Sequence, residues 1–255
     1  MRAMSHSPIR ERVTEAEWKI RVDLAAAYRL VALFGWDDLV FTHISARVPG
    51  GDHHFLINPY GMLFEEITAS SLVKIDLDAK ILLDTGYPVN PAGFTIHSAI
   101  HEVREDAGCV LHLHTLDGTA VASSKAGLLP LNQTAQLVIG DLAYHEYEGV
   151  AFDLAERPRL QKDLGTHSVM LLRNHGTLTV GASVAAAFTR MYFLERACSM
   201  QVRTLSSAAE THPTEQAVLG KNEMIGKMAV AAASDALVWP ALLRKLDRVD
   251  ASFRT

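Results

Sequence analysis

His112 and His114 stand one residue apart in the apolar run CVLHLHT, residues 109–115. In a strand, residues i and i+2 share a face and lie about 6.6–6.8 Å apart. Two imidazoles so spaced can tilt until one nitrogen of each lies about 2.0–2.1 Å from a shared cation. The same pair also fits a solvated polar face on an edge strand, with Leu111 and Leu113 turned to the core. A third histidine, His175, follows the apolar run SVMLL within RNHG, where the adjacent Gly176 permits a turn that aims the side chain inward. Sites of α/β proteins gather at strand ends, so two such ends carrying three histidines form a candidate metal constellation. Three imidazoles leave coordination positions open, as in a Lewis acid or a redox centre rather than a closed structural site.

The elements that must position these residues are legible from periodicity. TEAEWKIRVDLAAAYRLVALFGW opens with Thr14 and Glu17 in capping-box spacing, runs on with apolar residues at helical intervals, and stops at Gly35. LVFTHISARV and HHFLINP flank the turn signal PGGD and predict a hairpin, with LVKIDLD as a further strand. From there FTIHSAIHEVRED is expected as helix, GCVLHLHT as strand and TAVASSKAG as short helix. AQLVIGDLAYHEY is expected extended, DLAERPRLQKDLG helical, SVMLLRNHG a strand and SVAAAFTRMYFLERACSMQVRTLSSA a long helix. This alternation predicts a layered α/β domain with a mixed sheet. Residues 1–13 are expected as a flexible arm, residues 14–210 as one domain, and residues 211–255 as a helical extension packed on the domain or on a neighbouring subunit.

Composition narrows the function classes. The chain has 255 residues, 49% hydrophobic and 21% charged, with a formal net charge of −5 and no lysine/arginine cluster, which argues against nucleic acid as partner. No window approaches the ~20 apolar residues of a membrane span, and the polar N-terminus lacks the 7–15-residue apolar core of a signal peptide. Cys109 and Cys198, far apart among apolar or small neighbours, read as buried thiols and fit a reducing cytoplasm. A cytoplasmic protein acting on a small molecule is expected.

HLHT, followed some sixty residues later by NHG, resembles the class II aldolase/adducin family, which includes the fuculose-phosphate and ribulose-phosphate enzymes. The likeness spans about residues 14–205. THISARV stands where the aldolases carry a G-N-x-S-x-R stretch. FLINPYGMLFEEITASSLVKIDL, PAGFTIHSAIH, GLLPLNQTA and FTRMYFLERACSMQV look nearer to adducin heads. The resemblance implies a single three-layer α/β/α domain with a central mixed/antiparallel sheet. It implies a homotetramer with the site near a subunit interface, and His112, His114 and His175 as ligands of one divalent ion. Zinc is the first expectation, and iron, manganese, cobalt and nickel are also accepted by such sites.

The chain also departs from the family's pattern. In the sugar-phosphate aldolases a segment of the type S-S-E-W-P-L-H supplies serines for phosphate and a glutamate that touches the metal and acts as acid and base. Aligned on His97, the glutamate position falls on Gly93 and the serines on Pro91 and Ala92. The glycine-serine pair of the other phosphate loop falls near Pro59 and Tyr60, and the asparagine of G-N-x-S on His43. Standard sugar-phosphate cleavage is therefore not expected. His43 becomes a candidate for proton transfer, or else a polar strand residue. Tyr60 becomes a candidate oxyanion donor, or else packing; Glu65 and Glu66 lie beyond the same loop. Arg47 and Arg173 are candidate carboxylate anchors, because guanidinium binds carboxylate bidentately. Tyr192 on the long helix can approach a neighbouring subunit's site or pack in the core. His97 and His101 share one face of a helix, four apart; His97 matches a family position and reads as a residue of the pocket wall or one supporting it. Three functions follow: a divalent-metal lyase of aldolase or decarboxylase type acting on a small oxo- or hydroxy-carboxylate or carbonyl substrate, a non-haem iron oxygenase on the same histidines, or a non-catalytic adducin-like interaction module.

Overall fold

The computed structural model of the chain describes residues 8–50, 53–150, 153–208 and 210–255. Helix α1 (Glu15–Leu33) starts where Thr14 accepts a hydrogen bond from the Glu17 amide at 3.1 Å. Only that half of the expected capping box forms. The Glu17 carboxylate turns instead to Arg21 (3.0 Å) and Lys74 (2.9 Å), because Arg21 is fully buried and needs a countercharge. Gly35, at φ +67°, ends the helix, with its amide bonded to Ala32 and that of Trp36 to Val31.

Eight strands then build one sheet. β1 (His43–Arg47) and β2 (Phe55–Ile57) form the expected hairpin; β3 (Val73–Ile75) and β4 (Ile81–Leu83) extend it, β4 having gone unanticipated. Helix α2 (Pro91–Val103) leads to β5 (Cys109–Leu113), followed by α3 (Leu116–Ser123) and α4 (Gln133–Val138). β6 (Leu142–His145), α5 (Arg157–Leu164), β7 (Val169–Leu172), β8 (Gly176–Gly181) and α6 (Val184–Ser206) complete the sheet and its cover. The strand order is β4-β3-β2-β1-β5-β8-β7-β6; among the described residues only β6 and β7 pair parallel.

Two expectations are corrected. Residues 133–138 are helical rather than extended: Asn132 caps the Ala135 amide at 3.0 Å, and so short an apolar run does not reveal its period. β8 also escaped the sequence reading, because its threonines suggest a polar face. They are instead buried against α6, Thr179 donating to the Ala187 carbonyl at 2.9 Å.

Helices cover both faces, which makes three layers. Ile44, Ala46, Leu111 and Leu113 pack under α1, α3 and α6, whereas Val110, Met170, Leu178 and Val180 pack under α2 and α5. His43, Ser45 and His112 alternate with the first set and so face α2.

Of the predicted N-terminal arm, residues 1–7 lie outside the described residues, and Ile9–Arg12 form a short helical turn. The C-terminal α7 (Gln216–Ala233) and α8 (Trp239–Val249) return to the same chain. Trp239 donates to Asp23 of α1 at 2.9 Å, and Phe253 is fully buried. Both cysteines are buried free thiols, and burial pushes both above the usual thiol range. No helix among the described residues is long and apolar enough to cross a membrane.

Candidate metal centre

β5 is a central strand between β1 and β8, so the edge-strand reading of His112 and His114 fails. His112 pairs across the sheet with His43 on one side and Leu178 on the other, and is 1% exposed. His114 lies just past the strand end, before Thr115, which caps α3 by accepting from the Gly118 amide. His175 comes from the turn between β7 and β8. There the residue with positive φ is Asn174, at +54°, not Gly176. Gly176 is needed for a different reason: a Cβ there would lie 2.4 Å from the Leu113 carbonyl oxygen.

The three imidazoles converge. Ring centroids are 4.8 Å apart for His112–His114 and for His112–His175, and 4.9 Å for His114–His175. One nitrogen of each lies within 4.8 Å of the others. Burial, reinforced by the neighbouring histidines, holds His112 well below the usual histidine range and His175 at about 4. Both therefore present neutral rings at pH 7, the form that binds cations.

The groups behind the rings decide the tautomers. The Thr177 carbonyl, 3.0 Å from His112 Nδ1, can only accept, so Nδ1 carries the proton. Asp38 Oδ2 lies 3.1 Å from His114 Nδ1 and likewise accepts. With both rings neutral, the two Nε2 lone pairs face each other across 3.1 Å. Two acceptors in such opposition repel unless a cation or a proton lies between them. Two nitrogens about 2.0–2.1 Å from one tetrahedral cation stand about 3.3–3.4 Å apart, close to the observed separation. The residues present thus fit a divalent ion.

A cavity of about 180 Å³ opens over the histidines, lined also by Phe41, Thr42, His43, Tyr60, Asn90, Ile96 and Val150. Asn90 Nδ2 lies 3.1 Å from His43 Nε2 and holds that ring. Burial, with smaller contributions from other histidines, pushes His43 well below the usual range. Gly93 sits directly behind it: a Cβ there would be 2.4 Å from His43 Cδ2. The histidine at 43 and the glycine at 93 are therefore sterically coupled, each occupying or vacating space for the other. Thr42 is a β-branched residue held at φ +68°, buried, and its hydroxyl has no partner among the described residues. Such backbone strain gathers at functional sites.

Several expected site residues lie elsewhere. Arg47 donates to the carbonyls of His101 (2.6 Å) and Arg104 (3.2 Å), closing the C-terminal end of α2, because those carbonyls lack helical partners. Arg173 donates to the Ser124 carbonyl at 2.8 Å and stacks over Tyr144 at 4.2 Å. Tyr192 packs among Phe34, Trp36 and Phe193. None of the three lines the cavity. Glu66 accepts from the Leu63 amide at 2.7 Å, and Glu65 lines a separate surface cavity. His97 and His101 both hydrogen-bond Ser45 Oγ beneath the sheet, at 2.6 and 2.7 Å; burial pushes both to about 3. The side chains of Pro91 and Ala92 lie outside the described residues. Asp38, Thr42 and Asn90 escaped the sequence reading; the one available signal was the acidic pair Asp37-Asp38 beside an apolar run.

The model of the Class II Aldolase and Adducin N-terminal domain matches residues 22–202. The chain belongs to this family. It is 54% identical over 256 residues to a Caulobacter vibrioides protein provisionally named as a class 2 aldolase, with 96% of each chain covered. It is 49% identical over 197 residues to mouse alpha-adducin, covering 76% of this chain and 27% of that protein. Among solved structures, an aldolase II superfamily protein from Pseudomonas syringae matches with TM-score 0.91 and 50% identity, over 98% of this chain and 100% of that one. The L-fuculose 1-phosphate aldolase of Glaciozyma antarctica matches with TM-score 0.79 and 25% identity, over 100% and 97%. These likenesses agree with the three-layer fold built around the histidine cluster.

Proposed function

We propose that this chain is a divalent-metal-dependent carbon–carbon lyase, of aldolase or decarboxylase type, acting on a small oxo- or hydroxy-substituted carbonyl compound or carboxylate. The opposed Nε2 lone pairs of His112 and His114, set by Thr177 and Asp38 with His175 closing the triangle, carry this reading. The ion they would hold, zinc first, supplies Lewis-acid stabilisation of negative charge on a substrate oxygen, which retro-aldol cleavage and decarboxylation both require.

The rest of the cavity divides the remaining work. His43, kept neutral by burial and oriented by Asn90, is the group for proton transfer. Tyr60, 39% exposed on the cavity rim, offers its hydroxyl to an oxyanion. Phe41, Ile96 and Val150 give the cavity an apolar wall. With Arg47, Arg173 and Tyr192 committed elsewhere, Asn90, Tyr60 and Thr42 become the polar substrate contacts. Exposed Leu39, Phe41, Leu116, Tyr147 and Val150 surround or adjoin the site and support a homotetramer with the centre near an interface.

The identity to alpha-adducin favours a second reading, a non-catalytic interaction module. Elemental analysis beside a His112→Ala/His114→Ala double variant, with folding checked by circular dichroism, separates the two. About one zinc or manganese per chain, lost in the folded variant, supports the lyase and leads to a screen of oxo- and hydroxy-acids. Iron redirects the search to oxygen consumption. No metal after reconstitution refutes the lyase and leaves the module.

A further inference from the structure

Behind the histidines lies a carboxylate that the proposed chemistry does not use. Glu195 sits within α6, in the stretch MYFLERACSM, and is 2% exposed. Its two oxygens take hydroxyl donors from two different segments: Thr115 Oγ1 at 2.6 Å and Thr177 Oγ1 at 3.2 Å. Each threonine is tied to a metal-centre histidine by the backbone. Thr115 directly follows His114 and caps α3. Thr177 offers its carbonyl to His112 Nδ1, and pairs in the sheet with Leu113, the residue between the two histidines. One buried carboxylate therefore touches both segments that aim the rings.

The packing around it leaves no slack. A Cβ at Gly118 would lie 2.5 Å from Thr115 Oγ1, 2.6 Å from Thr177 Cγ2 and 2.7 Å from Glu195 Oε1. Glycine is thus required where α3 passes over the cradle. An acid that served only to fill this space would be replaced at lower cost by an apolar side chain, since a buried carboxylate is expensive unless its partners need it.

We propose that Glu195 is a positioning residue of the metal centre, bracing His112 and His114 through the hydroxyls of Thr177 and Thr115. This rests on the metal reading given above. The carboxylate holds the two threonine segments at a fixed separation, which sets the distance and angle between the two Nε2 lone pairs. Outer residues of this kind change metal affinity by about 10–100-fold when removed.

The test uses Co²⁺ alone, added to the metal-free full-length chain. Affinity is read by competition with a chromogenic chelator and geometry by the visible d–d bands; urea midpoints report folding separately. Glu195→Ala is expected to weaken Co²⁺ binding by about 10-fold or more and to shift the bands. Glu195→Gln, whose carbonyl still accepts one hydroxyl, is expected to recover part of both. Glu195→Ala/Thr177→Val is expected to bind no more weakly than Glu195→Ala, because both changes cut the same link. If Glu195→Ala does not fold, Gly118→Ala carries the test, since its methyl group would wedge the same three groups apart. Folded variants with wild-type affinity and bands overturn the brace, even if their urea midpoints fall. A wild-type chain that takes up no Co²⁺ overturns the metal reading itself, and the brace with it.

Discussion

The steric coupling of positions 43 and 93 can be tested by adding a single methyl group. In Gly93→Ala the new Cβ would lie 2.4 Å from His43 Cδ2, 2.6 Å from Cγ and 2.8 Å from Nε2. Carbon atoms prefer about 3.5–4.0 Å, so the ring must retreat by about 1 Å or more. It has little room, since His97 stands edge-on at 5.6 Å and His112 is stacked at 6.0 Å. Overpacking of this kind costs about 1–3 kcal/mol. Against it stands the helix propensity of alanine over glycine, about 1 kcal/mol in favour of the variant. The net expectation in the wild-type background is destabilisation by up to about 2 kcal/mol. In a His43→Ala background the clash is gone, and the same change should stabilise by about 1 kcal/mol. The sign inverts, and the coupling energy is about 1–3 kcal/mol. Urea unfolding of the four proteins of the cycle, at one protein concentration and with cation removed, reads these differences. A Gly93→Ala change that stabilises both backgrounds equally would show that the His43 ring is not seated against Gly93, and would refute the argument that the two positions form a unit.

Three further outcomes are expected. Asp38→Asn should weaken Co²⁺ or Zn²⁺ binding by about 10–100-fold in chelator competition, because His114 loses the carboxylate that fixes its tautomer; unchanged affinity would remove Asp38 from the centre. Burial lifts the Glu195 carboxyl to about 7, so the folded chain holds a proton there that the unfolded chain releases near the ordinary value. The Glu195 contribution to the stability of the metal-free protein should therefore fall by about 3 kcal/mol as pH rises from about 4.5 to 7, opposite in sign to the gain from the buried neutral histidines, so over that range the wild-type chain should lose about 3 kcal/mol relative to Glu195→Gln; parallel pH profiles for the two proteins count against the assignment. Glu17→Ala should cost about 3 kcal/mol in urea unfolding, since it leaves the Arg21 guanidinium buried with carbonyl partners but no countercharge, and a loss below about 1 kcal/mol would contradict that account.

Much of this molecule is local and so was readable from residue order. The 3.6-residue periodicity of 15–33 and 184–206, the Thr14 cap and the Gly35 stop specify helices through contacts within a few residues of one another. The H-x-H spacing and the NHG turn specify two strand ends able to carry ligands, and the family resemblance joined them. Distance along the chain hid the rest. Thr177 lies 65 residues from His112, Asp38 lies 76 from His114, and Glu195 lies 80 from Thr115. No periodicity encodes such pairs; each forms only when the sheet brings β1, β5 and β8 side by side and α3 and α6 close over them. The same assembly drew Arg47 and Arg173 to backbone carbonyls at helix ends, so that their charge, plain in the sequence, serves structure. Gly93 illustrates the difference most clearly. By sequence it is a missing carboxylate; in the tertiary structure it is the space in which the His43 ring stands, and only packing could distinguish the two.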